Sequence, residues 1–259
     1  MMPHVPSGDP IGNSGAPATP PAGMARRRFL ALLGCGSAGA LAASGAGVWP
    51  AAAAREEHAA PPAGVGPDEA LARLMAGNAR YTSQRVRRPN QTGRRRVEVA
   101  AGQHPFAIVL GCADSRVPPE IVFDQGLGDL FVVRVAGNIA DDAEVASFEY
   151  AVEHLGPRLI LVLGHEQCGA VAAAVEAVEK GGEVPGHLGT LLGPIRPAVE
   201  RARGRGGDLL DNAVRANVES VVERLKASEP VLAAAAKAGR LKIVGGRYDL
   251  RSGRVDLIA

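Results

Sequence analysis

Three short apolar runs constrain the fold of this chain more than any other feature of its sequence. They are F-A-I-V-L-G at 106–111, L-F-V-V-R-V at 130–135 and L-I-L-V-L at 159–163. Apolar runs of this length, bounded by turn residues, predict strands that are buried on both faces. Two further strands are expected at Leu241–Val244 and Val255–Ile258, joined by a turn that contains Ser252 and Gly253.

Helical patterns fill the segments around these runs. Leu71, Leu74 and Met75 recur at helical spacing after Pro67, which predicts an amphipathic helix over Asp68–Gln84. Further helices are expected at Asp141–Leu155, Cys168–Glu179, Thr190–Arg203 and Asp208–Ala227. Strands that alternate with helices predict an α/β fold with a mostly parallel central β-sheet flanked by helices.

The first 54 residues have the pattern of an export signal. A-R-R-R-F-L at 25–30 precedes a weakly apolar run of small residues, which ends in the alanines at 51–54 that suit a signal peptidase. The arginine pair Arg26-Arg27 resembles the twin-arginine signal, so export to the periplasm or the extracellular space is predicted. Residues 55–259 are predicted to form a single domain after removal of residues 1–54.

Two other interpretations of this segment are weaker. A membrane anchor is disfavoured because five glycines interrupt the apolar run, and no stable membrane span is expected after cleavage. A lipoprotein attached at Cys35 is disfavoured because the apolar segment before that cysteine is short.

The charge of the mature chain excludes a general affinity for nucleic acid. Three arginines and one aspartate, out of 29 basic and 27 acidic residues, would leave with the signal, so the remainder is close to neutral. Six arginines lie between Arg85 and Arg96, but no aromatic residue is interleaved with them after Tyr81. This basic run is interpreted as a solvated or partner-facing connection.

Two cysteines remain after removal of the signal, and their neighbours favour a metal site. Cys112 follows the first predicted strand, while His165 and Cys168 follow the third. The carboxyl ends of parallel strands meet at one edge of a sheet, so these three residues are expected to lie together. Two thiolates and one imidazole suit zinc, and three protein ligands leave a position open for a reactive water. A disulfide between the two cysteines is the structural alternative.

Three motifs carry a resemblance to a known family. C-A-D-S-R at 112–116, R-V-A-G-N at 134–138 and G-H-E-Q-C-G at 164–169 resemble the β-class carbonic anhydrases, and the resemblance extends from about Asp68 to Ala259. It implies reversible hydration of carbon dioxide to bicarbonate and a proton by zinc-bound hydroxide. It also implies one Zn²⁺ per chain, held by Cys112, His165 and Cys168.

The resemblance gives Asp114 and Arg116 a role in opening and closing the metal site. In this family the matching aspartate either occupies the fourth position on zinc or pairs with the matching arginine and leaves room for water. A bidentate guanidinium is an effective competitor for a carboxylate, so Arg116 is expected to draw Asp114 away from the metal. Asp114 is then expected to accept a hydrogen bond from the attacking hydroxide.

Other positions match the plant-like branch of the family. Gln103 is implied to donate a hydrogen bond to a substrate oxygen, and the backbone N–H of Gly169 to contact a bound carboxylate. Phe131 and Tyr150 match aromatic residues that reach the cleft across a dimer interface. A homodimer or a higher even oligomer is therefore expected, with the N-terminal helical arm around Leu71–Tyr81 packing on the partner.

Two departures from the family pattern affect regulation and substrate choice. Glu166 stands where the family commonly has a small polar residue, and its carboxylate is expected to alter the acidity of the zinc water or the substrate preference. Trp49 would leave with the signal, so a bicarbonate pocket built on tryptophan is not expected. The mature enzyme is therefore expected to stay open at neutral pH. A sulfur analogue of carbon dioxide and a non-catalytic zinc or thiol-redox role are the alternative functions.

Overall fold

The computed structural model describes residues 64–181 and 184–259, so the predicted signal at 1–54 lies outside the described residues. The strands are β1 Ala107–Gly111, β2 Leu130–Arg134, β3 Leu159–His165, β4 Lys242–Tyr248 and β5 Val255–Leu257. The helices are α1 Pro67–Thr82, α2 Gly93–Glu98, α3 Pro119–Val122, α4 Asp142–Tyr150, α5 Gly169–Lys180, α6 Leu188–Ala202, α7 Leu209–Ala227 and α8 Leu232–Lys237. Every predicted strand and helix is present in the described part of the chain.

The five strands form one sheet in the order β2-β1-β3-β4-β5. The pairs β1–β2, β1–β3 and β3–β4 are parallel, and only the pairing of β4 with β5 is antiparallel. The mostly parallel sheet flanked by helices is therefore confirmed. Because β1 and β3 are parallel neighbours, the turns that follow their carboxyl ends lie side by side.

Alternating side chains of the central strands build an apolar core on each face of the sheet. On one face, Leu110 and Ile160 pack in a cluster that includes Val218 of α7. On the other face, Leu161 packs in a cluster that includes Leu74 of α1. Every residue of β1 and β3 is buried, as expected for strands covered on both sides.

Helix α1 is fixed to the body of its own chain by a buried asparagine. The amide of Asn78 donates to the carbonyl oxygens of Val122 at 3.1 Å and Gly253 at 2.8 Å, and its Oδ1 accepts from the N–H of Val255 at 2.9 Å. Asn78 thus joins α1 to the end of α3 and to the β4–β5 turn. Packing of the helical arm on a dimer partner stays a prediction.

A buried carboxylate connects the arginine-rich segment to α1. Asp124 pairs with Arg80 at 2.6 Å and accepts from the N–H groups of Arg87 and Arg88. Burial alone would raise the pKa of Asp124, but these hydrogen bonds outweigh it and hold the pKa below its ordinary value. The first part of the arginine-rich segment is therefore held in place by Asp124 and connects α1 to the rest of the domain.

Three short helices (α2, α3 and α8) and one π-helical turn were not predicted. Helix α2 has only six residues and no apolar periodicity; it begins after Thr92, whose side chain accepts from the N–H of Arg95. Helix α8 is an alanine-rich segment of similar length. The helix predicted over Asp141–Leu155 changes to a π-turn at Ala151–Leu155 and ends at Gly156, which has left-handed backbone geometry. Within the described ranges, no helix is long and apolar enough to cross a membrane.

Candidate metal centre

Three side chains with metal-binding atoms meet beyond the carboxyl ends of β1 and β3. Cys112 directly follows β1, His165 is the last residue of β3, and Cys168 immediately precedes α5. Their ligand atoms all lie within 4.8 Å of one another, and all three residues are buried. The juxtaposition predicted from the strand ends is thus present.

The imidazole of His165 is oriented as a metal ligand would be. Its Nδ1 lies 2.9 Å from the backbone oxygen of Glu166, which can only accept a hydrogen bond. The proton is therefore assigned to Nδ1, and the lone pair is left on Nε2. Nε2 is buried and has no hydrogen-bond partner among the described residues. A buried imidazole nitrogen beside two cysteine sulfurs fits zinc, because metal coordination satisfies the lone pair.

The two cysteines are free thiols with unequal proton affinities, and they form no disulfide. A hydrogen bond from Cys168 is the largest influence on Cys112; together with bonds from two backbone N–H groups, it lowers the pKa of Cys112 to about 4 against the opposing effect of burial. The same thiol–thiol bond, followed by burial, raises the pKa of Cys168. These opposite directions favour deprotonation of Cys112 before Cys168.

Asp114 is held by Arg116 in a bidentate ion pair. The guanidinium Nε lies 2.9 Å from Oδ1 and Nη2 lies 2.7 Å from Oδ2, while the backbone N–H of Arg116 also donates to Oδ1. The side-chain bonds from Arg116 are the main cause that holds the pKa of Asp114 well below its ordinary value. Oδ2 of Asp114 nevertheless lies only 3.8 Å from Nε2 of His165. The carboxylate is thus paired with arginine at the edge of the metal cluster.

Arg134 is a site residue that sequence reasoning missed. It ends β2, and its Nε donates to the backbone oxygen of Cys112 at 2.9 Å. Its Nη2 donates to the backbone oxygen of Asp114 at 2.6 Å. Arg134 therefore fixes the turn that carries both Cys112, a predicted metal ligand, and Asp114. The only available signal was its position at a strand end, as the first residue of R-V-A-G-N.

The remaining predicted residues lie on other elements. Gln103 is exposed in the loop before β1, and Phe131 is partly buried in β2 and packs against the core. Tyr150 ends α4 with 52% of its surface exposed. Gly169 is the first residue of α5, next to Cys168, and the space where a β-carbon would stand is open. The single chain therefore brings the metal ligands, Asp114 and Arg116 together, and leaves Gln103 and Tyr150 on its surface.

The carboxylate of Glu166 contacts the β4–β5 turn. Its Oε2 accepts a hydrogen bond from the N–H of Leu250 at 3.2 Å, and its own N–H donates to the oxygen of Tyr248 at 2.9 Å. Its carbonyl oxygen is the partner of His165 Nδ1. Glu166 thus connects the loop between two metal ligands to the neighbouring hairpin.

Comparison with known proteins identifies the family to which this chain is similar. The carbonic anhydrase family model matches residues 107–255. The chain is 42% identical over 184 residues to carbonic anhydrase 2 of Mycobacterium tuberculosis, covering 71% of this chain and 89% of the relative. It is also 42% identical to a carbonic anhydrase of Mycolicibacterium smegmatis, with the same coverage. Among solved structures, a tetrameric β-carbonic anhydrase from Sordaria macrospora matches with a TM-score of 0.57 and 29% identity, covering 63% of this chain and 85% of that chain.

The fold and the cluster first define an α/β protein with a Cys/His/Cys set that could hold a metal ion at its strand ends. The extent of the family match and the identity to the mycobacterial relatives then place it more closely. The chain belongs to the β-class carbonic anhydrases and is a carbonate dehydratase, a lyase.

Proposed function

We propose that this chain catalyses the zinc-dependent, reversible hydration of carbon dioxide to bicarbonate and a proton. The observation that carries the proposal is the buried cluster of Cys112, His165 and Cys168, whose ligand atoms lie within 4.8 Å of one another. Two sulfurs and one imidazole nitrogen are a donor set that zinc prefers. Three protein ligands also leave one coordination position for the reaction.

The residues around the cluster have distinct tasks. Zinc, when bound, supplies the Lewis acidity that activates water near neutral pH. The carbonyl oxygen of Glu166 keeps the His165 ring in the orientation that presents Nε2. Arg116 holds Asp114 by two side-chain hydrogen bonds, so the carboxylate is an acceptor positioned beside the metal ligands. The N–H of Gly169, next to Cys168, is proposed to contact the oxygen of a bound carboxylate.

The complete cleft is proposed to need a second copy of the chain. Phe131 lies on β2, which is an edge strand of the sheet, and Tyr150 is half exposed. Such residues are available to a neighbouring subunit, and Gln103 is proposed to complete the substrate contacts. The Sordaria macrospora relative is described as tetrameric. We propose a homodimer or a higher even oligomer; sedimentation analysis of the zinc-loaded protein tests this.

Export by a twin-arginine-like signal at residues 1–54 is the remaining part of the proposal. It rests on Arg26-Arg27 and on the small-residue run that follows. Fractionation of cells that express the full chain, beside a variant carrying Arg26→Lys and Arg27→Lys, tests it. The variant is expected to keep the uncleaved chain inside the cell; equal export of both chains contradicts the proposal.

A stopped-flow hydration assay with zinc measured on the same sample tests the catalytic proposal. We expect one zinc per chain, with fast hydration at neutral and alkaline pH and loss of both zinc and activity in Cys168→Ala. Activity confined to alkaline pH would mean that Asp114 closes the site at neutral pH. Bound zinc without hydration at either pH would contradict the proposal and direct attention to sulfur analogues of carbon dioxide.

A further inference from the structure

A tight turn after β2 donates a hydrogen bond to one of the predicted metal ligands. The N–H of Gly137, in the short 3₁₀ turn Ala136–Asn138, lies 3.3 Å from Sγ of Cys112. Gly137 has a φ of 75°, and a β-carbon there would lie 2.7 Å from Cδ1 of Ile195 and 3.2 Å from Ala170. Only glycine fits this position, and glycine restricts its own backbone angles least. The direction of the Gly137 N–H therefore depends on the contacts that neighbouring residues make with the turn.

Asn217 holds this turn from a distant part of the sequence. It lies on α7, is 1% exposed, and its Nδ2 donates to the carbonyl oxygen of Gly137 at 2.8 Å. Its neighbours on the buried face of the helix are apolar, among them Val214, Val218 and Val221. Asn217 is thus a polar side chain placed in the core for one hydrogen bond to the glycine.

Among the described residues, the buried amide of Asn217 has one satisfied and one unsatisfied polar atom. Oδ1 of Asn217 is buried and has no hydrogen-bond partner in the described part of the chain. Desolvating Oδ1 opposes folding, while the bond from Nδ2 satisfies the carbonyl oxygen of Gly137. The amide fixes the direction of the Gly137 carbonyl. It thereby restricts the backbone angles of a glycine, which its own side chain does not restrict.

We infer that Asn217 is a positioning residue for the Cys112 metal ligand. By holding the carbonyl of Gly137, it keeps the N–H of the same residue directed at the Cys112 sulfur. Hydrogen bonds from outside the ligand set orient metal ligands and tune their donor strength. The inference rests on the proposed zinc function, because the sulfur must be a metal ligand for its orientation to matter.

Asn217→Leu, compared with Asn78→Leu, tests the inference. Asn78 is the matched control, because it is also a buried amide that donates to backbone carbonyls, but it joins α1 to the β4–β5 turn. Two readouts are measured on folded protein: the near-ultraviolet thiolate-to-metal band of the Co²⁺-substituted protein, and the rate of zinc release to a chromophoric chelator. A role confined to stability would change neither readout.

We expect Asn217→Leu to shift the thiolate–cobalt band and to accelerate zinc release by about 10- to 100-fold. Asn78→Leu is expected to lower the free energy of unfolding while leaving the band and the release rate unchanged. Asn217→Ala, which introduces no larger side chain, is measured in parallel and is expected to reproduce the shift if Asn217→Leu does not fold.

The outcomes separate this inference from the proposed function. If the unaltered protein binds metal and the Asn217 variants match Asn78→Leu in both readouts, the positioning role is refuted and the zinc site stands. If the unaltered protein binds neither Co²⁺ nor Zn²⁺, the proposed function fails first, and the positioning role fails with it.

Discussion

Replacement of Gly164 by alanine tests how closely α7 packs behind a metal ligand. Gly164 lies in β3 directly before His165, and a β-carbon there would lie 2.5 Å from Cγ2 of Val218 and 3.4 Å from Cγ1 of Val214. Val218 is fully buried, so its methyl groups have no free space into which to move. The added methyl therefore forces β3 and α7 apart at the residue before the imidazole.

Two opposing effects set the size of the change in the free energy of unfolding. Overpacking of a core costs about 1–3 kcal/mol, while alanine in a strand is about 0.5–1 kcal/mol better than glycine. Gly164→Ala is therefore expected to lower the free energy of unfolding by about 1–2 kcal/mol. In a Val218→Ala background the clashing methyl is gone, so the same change becomes neutral or slightly stabilising. The coupling free energy between the two positions is expected to be about 2 kcal/mol.

Urea unfolding of the four proteins of this cycle, together with their zinc-release rates, provides the assay. Gly164→Ala is expected to accelerate zinc release. In the double variant with Val218→Ala, the release rate is expected to return to that of the unaltered protein. Gly245→Ala is the matched control: its β-carbon would also lie 2.5 Å from Val218, but Ala259 and Val222 crowd it at 3.1 and 3.3 Å. Val218→Ala should relieve only part of that cost. An equal cost of Gly164→Ala in both backgrounds would refute the packing argument.

Three further predictions concern charge and metal. Arg116→Met removes the partner of Asp114, so hydration at neutral pH should fall while the zinc content is retained; unchanged hydration would argue against competition for the carboxylate. Because the folded pKa of Asp124 is depressed, its stabilisation is present above about pH 4 and is lost as the pH falls through that folded value. Asp124→Asn should therefore lose less stability than the unaltered protein as the pH falls below about 4 in acid unfolding experiments. After the metal is removed with a chelator, iodoacetamide at neutral pH should modify Cys112 before Cys168, because only the pKa of Cys112 is lowered. Peptide mass analysis follows the order of modification. Modification of Cys168 first would contradict the lower pKa of Cys112.

The central fold and the metal cluster were predictable because their signals are local. Buried parallel strands appear in the sequence as short apolar runs, and the polar residues that follow two of them are Cys112 and His165. A topological rule then brings those strand ends together without any knowledge of the side-chain contacts. The Asp114–Arg116 pair is also local, since the two residues share one turn.

Residues that support the site through distant backbone contacts were not predictable in the same way. Asn217 reaches Gly137 across 80 residues of sequence, and Arg134 reaches Cys112 across 22. Such bonds join a side chain to a backbone oxygen, so they leave no periodic pattern and no motif of fixed spacing. The direction of the Glu166 carboxylate, toward Leu250, likewise depends on where the β4–β5 turn lies in three dimensions.

The position of Arg116 links the two loops that carry the predicted metal ligands. Its guanidinium binds Asp114 in the loop after β1, and its Nη2 also lies 3.4 Å from the carbonyl oxygen of Gln167, between the ligands His165 and Cys168. The carboxylate needs to travel little to reach the ligand set, because its Oδ2 is already 3.8 Å from Nε2 of His165. Arg134, by contrast, binds the backbone oxygen of Asp114 and makes no hydrogen bond to its carboxylate. The turn thus combines a fixed backbone with a side chain that is held by one exposed arginine, and the opening and closing predicted for this site would require no movement of the sheet.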